Sequence, residues 1–133
     1  MKKNKGFTLI ELLIVMVILG LLASLVAPTM FAKVDSSKRN TAKTQMQMFS
    51  TSLDAFRLDV GRYPERLEEL RTSDKRGWDG PYLPKDVPLD AWGNPYVYRF
   101  PAESGERNPY DLMSYGADGR EGGEENDADI LNN

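Results

Sequence analysis

Neither cysteine nor histidine occurs in the 133 residues, which removes disulfide staples, thiol nucleophiles, imidazole bases and the commonest zinc ligands together. Acids alone, without a convergent polar pocket legible in the sequence, leave an enzyme no nameable mechanism. A small folded unit of this composition is held by packing, by hydrogen bonds or by a hard cation on oxygen ligands. Basic charge is also scarce: 17 Lys and Arg stand against 20 Asp and Glu. Three of the 17, Lys2, Lys3 and Lys5, precede Phe7, so the remainder has 14 basic against 20 acidic side chains, a net charge of −6. Nucleic acid is excluded as a partner on that balance.

What the chain does have is an apolar run. From Phe7 to Ala27 the only polar side chains are Thr8, Glu11 and Ser24, a length suited to a helix crossing ~30 Å of hydrocarbon. Lysines precede the run, whereas Lys33, Lys38 and Arg39 lie further beyond it, a bias that keeps the N-terminus in the cytoplasm and the bulk outside. A plain anchor and a cleaved secretory signal compete with this reading. The stretch "ASLVA" at 23–27, followed by Pro28, matches a signal-peptidase site poorly, and both alternatives must account for Glu11. A carboxylate costs about 2.5–3.5 kcal/mol at the centre of a membrane helix, so it is expected to have a cationic partner. A cut between Gly6 and Phe7 would create an α-amine one helical turn from Glu11. Pairing of that amine with the acid of an adjacent chain neutralises both charges at one stagger only. Gly20 and Pro28 are expected either to kink or melt the helix or to be tolerated within it, since Pro28 cannot donate to the carbonyl of Ser24.

Beyond Pro28, Ala42, Met46, Phe49, Leu53, Phe56 and Val60 recur at spacings of four and three, one face of a helix that Gly61 ends. The polar stretch "KVDSSKRNTAKTQ" at 33–45 reads as solvated helix surface whose charges need no special task. After Gly61 the density of glycine and proline suits turns between short strands. The clearest strands are "YVYRF" at 96–100 and "YDLMSY" at 110–115, joined as a hairpin through a loop containing Gly105. A short helix covers "ERLEELRT" at 65–72 with Leu67 and Leu70 on one face. Trp92 and Gly93 read as a buried aromatic beside a tight turn. The expected fold class is α+β: a long N-terminal helix, half membrane and half amphipathic, packed on a small head with a short antiparallel sheet. The Gly-rich acidic loop at 115–130 can gather oxygen ligands on calcium or be a solvated tail. An EF-hand register from Asp118 fails, because Arg120 and Gly122 stand where acids are wanted.

"KGFTLIELLIVMVILGLLASLVAP" resembles the leader, cleavage site and N-terminal helix of type IV pilins and type II secretion pseudopilins. The order "GRYP", "GPYLPKDVPLDAWGNPYVY" and "SYGADGREGGEENDADI" extends the resemblance to G-type major pseudopilins over nearly the whole chain. The resemblance implies a leader at 1–6, a membrane and filament-core helix at 7–28, a helical stem at 29–60 and a periplasmic head at 61–133. It implies cleavage after Gly6 by a prepilin peptidase, N-methylation of Phe7, and Glu11 as an assembly determinant. The stretch between Gly20 and Pro28 would extend on assembly. Calcium would be held by side chains of Asp118, Asp127 and Asp129 with carbonyls of Tyr115 and Arg120, although Ala128 stands where some relatives have a second aspartate. The implied function is that of a non-enzymatic subunit of a helical pseudopilus supporting export of folded proteins across a bacterial envelope. Its partners would be copies of itself, minor pseudopilins, an inner-membrane assembly platform, the peptidase and, before assembly, lipid. A pilin of a surface type IV pilus, or a membrane-anchored calcium-binding module that does not polymerise, remains open at this point.

Overall fold

The computed structural model describes residues 6–103 and 107–131. The leader residues 1–5 and the hairpin residue Gly105 lie outside the described residues. The chain divides into two compact units, Met1–Asp35 and Ser36–Asn133.

One helix, α1 (Leu9–Val60), crosses that division. Its N-terminal part is apolar and long enough to cross a membrane. Gly20 and Pro28 lie inside it and neither interrupts the helix in the isolated chain. Ser24 and Thr29 return their hydroxyls to the carbonyls of Leu21 and Val26, at 2.7 and 2.8 Å, so their polar hydrogens are satisfied without water. At the other end Gly61 takes φ +97° and donates to the Arg57 carbonyl at 2.8 Å, the left-handed residue that closes a helix without a Cβ clash.

In the second unit the spacing of four and three finds its purpose. Ala42, Met46, Phe49, Leu53 and Phe56 are buried, and Val60 packs at the margin. They face Tyr63, Leu67, Leu70, Leu83, Tyr96 and Leu112. Each large side chain taken from water on either wall of this core contributes ~1.5–3 kcal/mol to the drive for the unit. Edge-to-face ring pairs such as Phe49 with Tyr96, centroids 5.0 Å apart, add directional packing.

The short helix expected at 65–72 is a single 3₁₀ segment, η1 (Leu67–Leu70), with Leu67 and Leu70 buried as their spacing required. Glu69 ties it down. Its carboxylate accepts from the N–H groups of Glu65 and Arg66, at 2.6 and 3.2 Å, and meets the Lys75 ammonium at 2.8 Å. Burial pushes the Glu69 carboxyl up, but the Lys75 contact and those two N–H groups outweigh it and hold the group below the usual carboxylate range.

The sheet has order β1 (Val97–Arg99), β2 (Asp111–Ser114), β3 (Ile130–Leu131), antiparallel throughout. The first two strands fall within the segments expected from the sequence. The third begins at the end of the segment whose sequence suggests only an acidic loop: two residues long, it shows no alternation, yet Ile130 is buried and pairs with Ser114. Between β2 and β3 a second 3₁₀ turn, η2 (Glu125–Asp127), occupies the acidic segment. Trp92 is half-buried against the core, beside Gly93 at φ +83°.

Candidate functional site

Two places hold the side chains singled out by the sequence. The first is the start of α1. Thr8 is the N-cap residue and Glu11 sits three positions on. The Thr8 hydroxyl accepts from the Glu11 N–H at 3.2 Å, and Glu11 Oε2 accepts from the Thr8 N–H at 3.3 Å. This reciprocal pair is a capping box, which satisfies two of the donors every helix start leaves open. The partner expected from the sequence was a cation; inside the single chain Glu11 instead bonds a backbone N–H. The signal was present as Thr-x-x-Glu ahead of an apolar run. The bond is long and the Glu11 side chain is exposed, so the carboxylate retains acceptor capacity for a second donor. Phe7 is 84% exposed, leaving the new terminus that a cut after Gly6 would produce open to a neighbour.

The second place is the loop between β2 and β3. Asp118 Oδ1 accepts from the Arg120 N–H at 3.1 Å, and Asp129 Oδ2 accepts from the Gly122 N–H at 3.0 Å. Asp129 Oδ1 is buried without a hydrogen-bond partner, whereas Asp118 and Asp127 are exposed. Among the described residues no three acidic side chains are grouped so as to hold a metal ion. The carboxylate of Asp129 nevertheless has the chemistry of a hard-cation ligand, since a buried, unpaired carboxylate oxygen is costly and a cation is one way to satisfy it.

The loop is seated on both sides. Arg39 Nη1 donates to the Ala128 carbonyl at 3.0 Å, so one charge of the polar stretch 33–45 has a task that its composition did not reveal. In that stretch Gln45 also accepts from the Tyr96 hydroxyl. Burial, and then the nearby Asp90 carboxylate, push the Tyr96 phenol up, keeping it a proton donor. On the other side, a Cβ at Gly119 would stand 2.9 Å from Asn94 Cγ, so the turn at 90–94 fits directly against the loop.

The apolar N-terminal part of α1, exposed along its length and with one acid held at its first turn, is suited to cover by lipid or by other helices. The small head contains no gathered catalytic groups among its described residues. Fold and terminus together define a pilin-like assembly subunit.

Comparison with known proteins narrows the class. Residues 1–27 match the prokaryotic N-terminal methylation motif, and residues 29–133 match the family "Type II secretion system (T2SS), protein G". The type II secretion system core protein G of Pseudomonas aeruginosa is 41% identical, covering 98% of this chain and 96% of the relative. That of Vibrio cholerae is 39% identical, covering 99% and 93%. The crystal structure of the major pseudopilin of the enterohaemorrhagic Escherichia coli type 2 secretion system superposes with TM-score 0.60 at 28% identity, over 77% of this chain and 91% of that one. The chain belongs to the type II secretion system protein G family. It is a pseudopilus subunit, structural and non-enzymatic, and the match over the head decides against the surface-pilus reading that the leader left open. Its apolar helix and methylation motif mark it as membrane-anchored within that system.

Proposed function

We propose that this subunit is cut between Gly6 and Phe7, N-methylated on Phe7, and inserted into the pseudopilus by pairing of that amine with Glu11 of an adjacent copy. The observation that carries the reading is the geometry at Glu11: a single exposed carboxylate, one turn from Phe7, held by one long bond to its own backbone. In lipid the capping box lowers the cost of the charge; in the filament a cationic amine is the stronger partner. The helix passes once through the inner membrane with the N-terminus cytoplasmic and the head periplasmic, following the lysines that precede the apolar run, and the assembled filament is periplasmic. The segment Gly20–Pro28 extends as copies pack. Minor pseudopilins and an inner-membrane platform complete the assembly, which supports export of folded proteins.

Intact-mass and N-terminal fragmentation mass spectrometry on protein from cells carrying a prepilin peptidase tests this directly. An N-methylated Phe7 terminus is expected. An intact Met1, or a cut near Ala27, refutes it.

Calcium belongs to the same proposal as a structural ion of the head. Asp129 would hold it, with side chains of Asp118 and Asp127 and carbonyls of Tyr115 and Arg120 closing around it. The support is the buried, unpartnered Asp129 Oδ1 in a glycine-rich turn. Calcium when bound supplies charge neutralisation of the acidic loop, and its binding free energy becomes folding free energy of a head without disulfides. A melting temperature that rises with added calcium and falls back with chelator is expected; no shift refutes the site.

A further inference from the structure

The turn "DAWGN" at 90–94 and the end of β2 share a buried polar cluster. Asp90 is 6% exposed and Ser114 fully buried. Asp90 Oδ1 accepts from the N–H groups of Trp92 and Asn94, at 3.0 and 2.9 Å. Its other oxygen accepts from the Ser114 hydroxyl at 2.8 Å. With its proton committed to Asp90, the Ser114 oxygen presents lone pairs elsewhere and accepts from the Gly116 N–H at 3.3 Å.

That last bond reaches beyond packing. The N–H of Gly116 and the C=O of Tyr115 belong to one planar trans peptide unit, so fixing the direction of one fixes the direction of the other. A side chain far back in sequence thus orients a backbone carbonyl at the mouth of the acidic loop. The same turn supports the loop a second time, where Asn94 fills the space against Gly119.

We infer that Ser114, polarised by Asp90, is a positioning residue that aims the Tyr115 carbonyl at the cation site of the 115–130 loop. This rests on the calcium reading above and deepens it: one carbonyl of that ligand set is oriented from the opposite side of the β2 end, by a residue that never touches the ion. Buried polar groups that hold ligands in place commonly set metal affinity by 10–100-fold.

The test is calcium titration by isothermal calorimetry on the full-length mature chain in detergent, after chelation and exchange, alongside thermal melts without calcium. Ser114→Ala removes the acceptor for Gly116. Asp90→Asn keeps the shape and the bonds to the turn but cannot take the Ser114 proton on its amide nitrogen. Asp129→Asn serves as the ligand control. Either of the first two variants, whichever folds, is expected to weaken calcium binding by about tenfold or more. A folded variant whose affinity stays within about twofold of wild type, with only the calcium-free melt lowered, assigns Asp90 and Ser114 a purely structural role and overturns the inference. Binding lost in Asp129→Asn but intact in the other two refutes this inference alone. Wild-type protein that takes up no calcium refutes the cation reading and this inference with it.

Discussion

Lys75→Met is the sharpest test of how the head is held. Lys75 Nζ lies 2.8 Å from Glu69 Oε1, with side-chain exposures of 20% and 12%, and 5.8 Å from the centroid of the Phe56 ring. Methionine keeps most of the stem volume over Phe56 and removes only the charge. Glu69 then keeps two backbone N–H donors but loses its cation. Breaking a fully buried pair costs about 3–5 kcal/mol; with residual solvent access the expected loss is about 1.5–3 kcal/mol, that of a hydrogen bond to a charged group. In a unit of this size each kcal/mol moves the melting temperature by ~4–8 °C, so a drop of about 6–24 °C at pH 7 is expected by tryptophan fluorescence. Trp78, whose indole N–H donates to the Glu69 carbonyl at 2.8 Å, reports on the same corner. Because Glu69 titrates below its ordinary value in the fold, its contribution is complete above the unfolded carboxylate pKa. It is lost as pH falls through the lower folded value. The difference between wild type and Lys75→Met therefore shrinks below about pH 4. A melt within 1 °C of wild type at pH 7, or a gap that stays constant into strong acid, would refute the reasoning (about 1 °C being the resolution of such a scan).

Phe49→Ala, at the centre of the buried stripe and against Tyr96, is expected to cost about 3–5 kcal/mol in denaturant unfolding, while Leu58→Ala, 85% exposed, stays within about 0.5 kcal/mol. Similar losses for the two would show that the stripe does not face a core. Gly123→Ala forces a Cβ against the Asp127 carbonyl at φ +95°; a cost of about 1–3 kcal/mol and loss of the calcium-induced melting shift are expected, and an unchanged shift counts against this loop as the site. Glu11→Gln keeps the capping geometry but removes the charge. Sheared pseudopili seen by microscopy and immunoblot are expected to disappear with the head's melt unaltered, and filaments at wild-type level would sink the amine pairing.

How much of this was legible beforehand depends on how local the cause is. The apolar run, the stripe from Ala42 to Val60 and the stop at Gly61 are periodicities and a left-handed glycine, and each works within a few residues of itself. The Thr8–Glu11 box was equally local and could have been read from its spacing. A strand of two residues such as β3 has no pattern of its own and exists because Ser114 and Met113 offer an edge to pair with.

The acidic loop shows the same division at the level of function. Its composition alone placed a hard-cation candidate at 115–130, because glycines bend a chain and carboxylates bind oxygen-loving ions. Which oxygens are desolvated was a tertiary matter. Asp129 is partly buried while Asp118 and Asp127 are exposed, Arg39 reaches Ala128 across 89 positions, and Asp90 reaches Ser114 across 24. Sequence alone determined the long apolar helix and its amphipathic continuation, since both follow from the order of side chains along one helix. Only the folded head decided the partners of its buried charges, because burial and long-range pairing are properties of segments that meet in space after the chain has turned back on itself.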